Sequence, residues 1–389
     1  MREPAARAAG LRRSEIRVLF DAAGRRPDAI RLEVGEPSFT TPAHIIDAAA
    51  RAAHAGHTGY GPNGGLLSLR ELLVDKLELV DGMRVEPDQI VVTPGGMNAL
   101  YSTYLALLNR GDHVLLPSPG FPNMDEMVRL VGGRPSFYPL ESSAGFLPDV
   151  DLIDRLIRED TKVLFINTPG NPTGAVFPAS LMEELVDLAS RRDLWLLSDE
   201  VYDEMVLDTG RSHTAAAPFD REGRVITVYS FSKVYAMTGW RVGYAVAPPR
   251  VAEILRTLQE PEVSCPSTIS QKAAEAALTG PRQPIDDMID AYRRRSSLAI
   301  EAADRSGLRA IPPSGTLYMM LDVSSAGLGD VEFALWLLDE FGVSVAPGTV
   351  FGPSGRGWVR ISLAAEDGAI VEGVERIAAA VEARSGVAV

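Results

Sequence analysis

The stretch VITVYSFSKVYAMTGWR, residues 225–241, decides how the rest of the chain is read. It opens on a run rich in β-branched and aromatic residues, the composition of a strand. Lys233 follows just past the end of that run, and Arg241 comes eight positions later. In open parallel sheets, ligands gather beyond the carboxyl ends of the strands, so an amine placed there is a candidate for chemistry. A lone lysine after a strand is more often an ordinary solvated residue. The surrounding pattern has to decide.

From about residue 42, short β-rich runs at 90–93, 113–116, 162–167, 194–198, 225–230 and 242–247 alternate with amphipathic helical segments such as 181–191. This alternation predicts an α/β fold whose mostly parallel sheet is flanked by helices. Beyond about Pro281 the texture changes to a long charged helix, a run at 316–322, a helix near 331–341 and a run at 358–363, which predicts a smaller α/β domain. The expected division is a large domain over 42–280, and a small domain with an N-terminal segment made of 1–41 and 281–389. The first thirteen residues read as a frayed end or a first helix, with no chemistry assigned.

Several function classes are excluded early. A formal net charge of -14 disfavours nucleic acid, because phosphate binding needs a surplus of Lys and Arg on one face. No apolar run is long enough to span a membrane, and no signal core opens the chain, so a cytoplasmic protein is expected. The single cysteine, Cys265, leaves no internal disulfide and no cysteine-rich zinc site. His54 and His57 lack nearby carboxylates or cysteines, so no metal is expected.

Two motif matches are weaker than they look. GYGPNG at 59–64 fits a dinucleotide fingerprint, but an Ala-rich helical segment precedes it and Pro62 interrupts it, so a tight loop is the better reading. Tyr229 and Lys233 have the spacing of a helical Tyr-x-x-x-Lys pair, yet Tyr229 ends a β-branched run.

The remaining signals sit where the runs end. Gly95 and Gly96 precede an Ala- and Leu-rich helix, so the amides of Gly96 and Met97 open a helix N-terminus suited to phosphate. Asn171 begins NPTG at 171–174, which by itself is a turn. Asp199 closes an apolar run and precedes Tyr202; Phe121 lies in PGFP at 119–122; Arg360 lies in WVRIS at 358–362; Gly35 lies in GEP at 35–37.

In order and spacing this set resembles the class I aminotransferases, the fold-type I pyridoxal-phosphate enzymes also called the aspartate aminotransferase superfamily. The likeness spans roughly residues 30 to 375. It implies that pyridoxal 5'-phosphate is held by Lys233 as a Schiff base, with Ser230 and Arg241 on its phosphate. Arg241 offers a fork of donors to a dianion, and a nearby cation helps keep some of the lysine amine unprotonated. The resemblance further implies Asp199 on the pyridine nitrogen, Tyr202 and Asn171 on the phenolic oxygen, and Phe121 stacked on the ring. Arg360 would grip the substrate carboxylate, with Asn171 and with Gly35 closing from the N-terminal segment. Tyr60 matches a tyrosine that reaches the phosphate in the neighbouring subunit, which implies a homodimer. The activity implied is transfer of an amino group between an amino acid and a 2-oxo acid, in ping-pong half-reactions. A lyase, decarboxylase or oxidase acting on an amino acid is the alternative on the same scaffold, and a regulatory binding module is a rival of another class.

Overall fold

The computed structural model describes residues 3, 5–11 and 15–385. Within them, a seven-stranded sheet runs in the order Ile90–Thr93, Gly243–Val246, Val225–Ser230, Trp195–Asp199, Thr161–Asn167, His113–Ser118, Arg134–Pro139. Its pairings are parallel except for those of Gly243–Val246, which is antiparallel to both neighbours. Of these seven strands the sequence reading missed one, Arg134–Pro139. It carries Pro135 and Pro139 and is only partly buried, and proline is tolerated at a sheet edge because one side needs no ladder donors.

Both faces of the sheet are covered, which is why its strands read as continuous apolar runs. The alternation is visible inside Thr161–Asn167. Phe165 joins one core with Leu100, Val228 and Leu255, while Leu164 and Ile166 join another with Met182 and Leu185. Helices Gly96–Leu107 and Pro249–Val263 contribute to the first core, and Ala179–Arg191 to the second.

The register brings the chemistry-bearing ends to one edge. Asn167 pairs with Asp199, and Ser230 and Thr93 both lie opposite Gly243, the first residue of the reversed strand. Tyr229 is the fifth residue of its strand, and Lys233 lies in the short helix Phe231–Val234, so the two do not share a helical face.

The C-terminal part forms an antiparallel sheet in the order Ala346–Pro347, Trp358–Ser362, Tyr318–Asp322, Ala310–Ile311. The long helix Gln283–Arg305 and helix Asp330–Phe341 accompany it. The N-terminal segment is tied to this part of the chain. Ile30–Arg31 pairs in parallel with Val343–Ser344, and buried Arg295 donates to Ser38 Oγ at 2.9 Å and to Leu363 O at 3.2 Å. Of the expected first helix, a turn at Ala6–Ala9 and the helix Glu15–Ala23 are seen; residues 1, 2, 4 and 12–14 lie outside the described residues.

Candidate active site

At the carboxyl edge of the large sheet lies a cavity of about 330 Å³, lined by Gly35, Gly96, Met97, Phe121, Asn171, Asp199, Tyr202, Ser230, Lys233, Arg241 and Arg360. These are all the candidate residues singled out above except Tyr60. Ile16, Leu100 and Val201 add apolar wall, and Glu33, Asn167, Ser232, Thr238 and Tyr318 complete the lining.

Lys233 sits in a four-residue helix whose N-cap is Ser230, the Oγ of which accepts from Ser232 N at 3.1 Å. Its Nζ donates to the carbonyl of Gly35 at 2.5 Å, so the amine reaches across the cavity to the N-terminal segment. The backbone that follows is unusual. Ala236 and Arg241 have φ of 51° and 53°, a left-handed conformation that side-chain-bearing residues seldom adopt and that marks sites under constraint.

Arg241 donates Nη1 to Thr238 O at 2.9 Å. Against it lies Gly95, with φ of 83°, where a Cβ would stand 2.5 Å from Nη2. Glycine therefore lets the guanidinium lie against the start of helix Gly96–Leu107, whose first amides have no intrahelical acceptors. A guanidinium, a helix N-terminus and the Ser230 hydroxyl line one cavity, a donor set suited to a phosphate dianion.

Asp199 is buried. Its Oδ1 faces Val201 N at 3.4 Å, while its carbonyl accepts from Asn167 Nδ2 at 2.9 Å. Burial, with the nearby charge of Glu200 adding to it, pushes the carboxyl up to about 7 against the pull of the Val201 amide and Lys233. Asn167 also holds Asn171, accepting from its backbone N at 2.7 Å.

Arg360 could by sequence have been surface charge, but it is buried at 3% exposure. Nη1 donates to Asn171 Oδ1 at 3.1 Å and Nη2 to the carbonyl of Glu33 at 2.7 Å, and the guanidinium lies over the rings of Tyr318 at 4.2 Å and Phe351 at 5.0 Å. Nε has no partner, and no carboxylate pairs with this cation among the described residues. Burial pulls its pKa down, with Tyr318, Tyr202 and Glu33 opposing.

Sequence reasoning missed Tyr318. Its hydroxyl accepts from Tyr202 at 3.2 Å and donates toward Gly35 O at 3.3 Å. Burial raises its pKa, but Lys233, Arg360 and the bond from Tyr202 outweigh that and lower it overall. The signal for it is the register Met320 opposite Arg360, which sets Tyr318 diagonally beside Arg360 on one face of the sheet. Asn167 was also overlooked, although a polar residue closing an apolar run was its mark.

Tyr60 is 92% exposed and lies away from the cavity. Its loop is held at the base by Gly61 N donating to Cys265 Sγ at 3.3 Å and by Thr268 Oγ1 donating to His57 O at 2.7 Å.

Residues 27–377 match the family described as aminotransferase class I and II. The chain is 38% identical over 367 residues to an aspartate aminotransferase of Pyrococcus abyssi, covering 94% of each. It is also 38% identical over 367 residues to aromatic-amino-acid aminotransferase 2 of Thermococcus litoralis, again covering 94% of each. Among solved structures, the aspartate aminotransferase of Thermus thermophilus with maleate superposes with a TM-score of 0.92 at 36% identity, covering 98% of this chain and 100% of that one.

The raised Asp199 carboxyl has a measurable consequence. Without a bound ligand, folded protein keeps this proton up to about pH 7, whereas the unfolded chain loses it near its ordinary value of 3.8. The unfolded state then binds fewer protons, so stability falls as pH rises through that window, by on the order of 4 kcal/mol at its end. Asp199→Asn should flatten this loss when denaturation of ligand-free protein is compared at pH 5 and pH 8; equal slopes for both proteins would exclude an elevated Asp199.

Proposed function

Since this chain belongs to the class I and II aminotransferase family, we propose that its Lys233, Asp199 and Arg360 carry the transfer of an amino group between an amino acid and a 2-oxo acid. The enzyme depends on pyridoxal 5'-phosphate. One observation carries the residue assignment: a buried guanidinium without a carboxylate partner lines the same cavity as the Lys233 amine.

The residues present fit the cofactor. Arg241, with donors to spare beside the side-chain-free Gly95, suits the phosphate together with Ser230 and the amides of Gly96 and Met97. Asp199 suits the pyridine nitrogen, because a buried carboxylate favours a protonated ring beside it. Asn171 and Tyr202 suit the phenolic oxygen, Phe121 the ring face, and Lys233 the aldehyde carbon. When bound, the cofactor supplies a carbonyl that condenses with amines and a protonated ring that accepts the electron pair released at the substrate Cα.

The chain's own residues then divide the work. Arg360 binds the substrate carboxylate, with Asn171 fixing one of its nitrogens and the Glu33 carbonyl the other. Lys233, once its amine is free, takes the proton from the substrate Cα and returns it on the cofactor side, acting as general base and then general acid. Tyr318 and Gly35, joined to each other and to Tyr202, close the cavity from the small-domain side and help exclude water. Two half-reactions follow, with the amino group held on the enzyme between them.

The working unit in this reading is a homodimer in the cytoplasm. Tyr60 and, near its loop, Leu67 and Val263 are exposed at 92%, 52% and 39%, apolar surface of the kind an interface covers. We assign Tyr60 to the phosphate of the neighbouring subunit's cofactor. No helix among the described residues is long and apolar enough to cross a membrane, and the one cysteine, Cys265, is free. The division into 42–280 and 1–41 with 281–389 stands as part of the proposal, supported by the pairing of Ile30–Arg31 with Val343–Ser344.

Borohydride reduction of the yellow enzyme should fix the cofactor to Lys233, and Lys233→Ala should abolish that link. Labelling at another lysine overturns the assignment. Arg360→Lys should lower kcat/KM for amino acids and 2-oxo acids by on the order of 2–5 kcal/mol in transition-state stabilisation, because a lysine cannot reproduce two parallel bonds. An amine lacking the carboxylate should be hardly affected, and equal losses for both would show that Arg360 does not read the carboxylate. Sedimentation at assay concentration should find a dimer, and an active, strictly monomeric enzyme would refute the role of Tyr60.

A further inference from the structure

A second group of ionisable side chains is packed behind Asp199, none of them lining the cavity. Glu200 is fully buried and its carboxylate is gripped from four sides. Oε1 accepts from Ser198 Oγ at 2.8 Å and from Ala216 N at 3.1 Å; Oε2 accepts from the Tyr229 hydroxyl at 2.8 Å and faces His213 Nε2 at 3.1 Å. The same His213 nitrogen lies 3.7 Å from Asp81 Oδ1. Asp81 Oδ2 lies 3.4 Å from Lys76 Nζ, which also pairs with Asp203 and stands 4.8 Å over the Tyr229 ring.

The chain path gives this cluster its meaning. Glu200 follows Asp199, Asp203 follows Tyr202, and Tyr229 precedes Ser230. Three neighbouring pairs thus divide their side chains between the cavity and the cluster. Nothing in the amino-transfer reading uses the cluster side. Lys76 and His213 stand among Asp81, Glu200 and Asp203. The His213 ring is raised in pKa: burial opposes its charge, but the Glu200 hydrogen bond with Asp81 and Asp203 outweighs burial. Asp81 is pushed up to about 7, first by burial and then by Asp203 and Glu200, against Lys76 and His213.

We infer that Glu200, locked in place by His213 and Tyr229, is a positioning residue for Asp199, anchoring the backbone that carries Asp199 and biasing its carboxylate electrostatically toward holding a proton with the cofactor's ring nitrogen. The inference rests on the assignment of Asp199 to that nitrogen. The physical reason is direct. A fixed negative charge behind a buried acid raises the proton affinity on its far side, and His213, 3.1 Å from Glu200, moderates that effect.

The test follows the proton on the ring nitrogen directly, by nitrogen NMR of holoenzyme whose cofactor is isotopically labelled at that atom, as a function of pH, for the wild type, Glu200→Gln and His213→Gln. Glu200→Gln keeps the shape and removes the charge, so the midpoint should fall by about one pH unit. His213→Gln removes the compensating cation and leaves Glu200 charged, so its midpoint should rise. Opposite shifts support the inference, because loosened packing alone has no reason to move the two variants in opposite directions. Unchanged midpoints, or shifts of the same sign, overturn it. If Glu200→Gln does not fold, the His213→Gln midpoint decides alone. If the wild type carries no cofactor on Lys233, the amino-transfer reading fails separately. Denaturation of cofactor-free protein then decides between the variants: the pH window over which Asp199 costs stability should move down in Glu200→Gln and up in His213→Gln, and an unmoved window overturns the inference.

Discussion

The site depends on burying one cation, Arg360, that has no ion-pair partner among the described residues. Removing a guanidinium from water is costly unless its donors are met, and a single unpaired buried charge is among the more destabilising features a core can carry. Around Arg360 the compensation is drawn from several distant stretches: the Glu33 carbonyl, the Asn171 amide oxygen, and the rings of Tyr318 and Phe351. None of these supplies a formal negative charge. The carboxylate of Glu33, which could have done so, is turned to Arg31 at 2.8 Å. The fold therefore brings its N-terminal segment, its large sheet and its small sheet together around a cation that an incoming carboxylate can complete.

The large sheet performs the complementary task with its backbone. Parallel pairing of Thr161–Asn167, Trp195–Asp199 and Val225–Ser230 brings Asn167, Asp199 and Ser230 to one edge, and the reversed strand brings Gly243 beside them. Register in a sheet buried on both faces is tightly specified, because a one-residue slip would exchange the residues of the two cores. The positions of the reactive groups are thus inherited from the packing of residues such as Phe165 and Leu164, which never touch the cavity.

What the sequence disclosed and what it withheld divide along the same line. That Lys233, Arg241, Asn171 and Asp199 gather at one cavity was legible because each sits in a short local pattern whose turn or strand end is set by its neighbours. The α/β alternation was legible for the same reason, whereas Arg134–Pro139 was not, its prolines disguising an edge strand. Tyr318 was hidden because its place beside Arg360 follows from the pairing of two strands far apart in the chain. The strand holding Arg360 was visible, but which of its faces meets the core was not. The cluster of Glu200, His213, Asp81 and Lys76 draws on three separate stretches, and no local pattern announces it.

Apart from Val201, which follows Asp199 closely, the apolar wall of the cavity comes from different elements than Lys233, Asp199 and Arg360. Ile16 belongs to the N-terminal helix Glu15–Ala23, Met97 and Leu100 to the helix Gly96–Leu107, and Phe121 to the loop before Asn123–Leu130. Asp199 is carried instead by a strand end, Lys233 by the short helix just past another, and Arg360 by the small sheet. A change at Ile16 or Leu100 alters the cavity wall on elements that carry neither the amine, the carboxylate nor the guanidinium. The shape of the cavity and the charge within it are thus set largely by different parts of the chain.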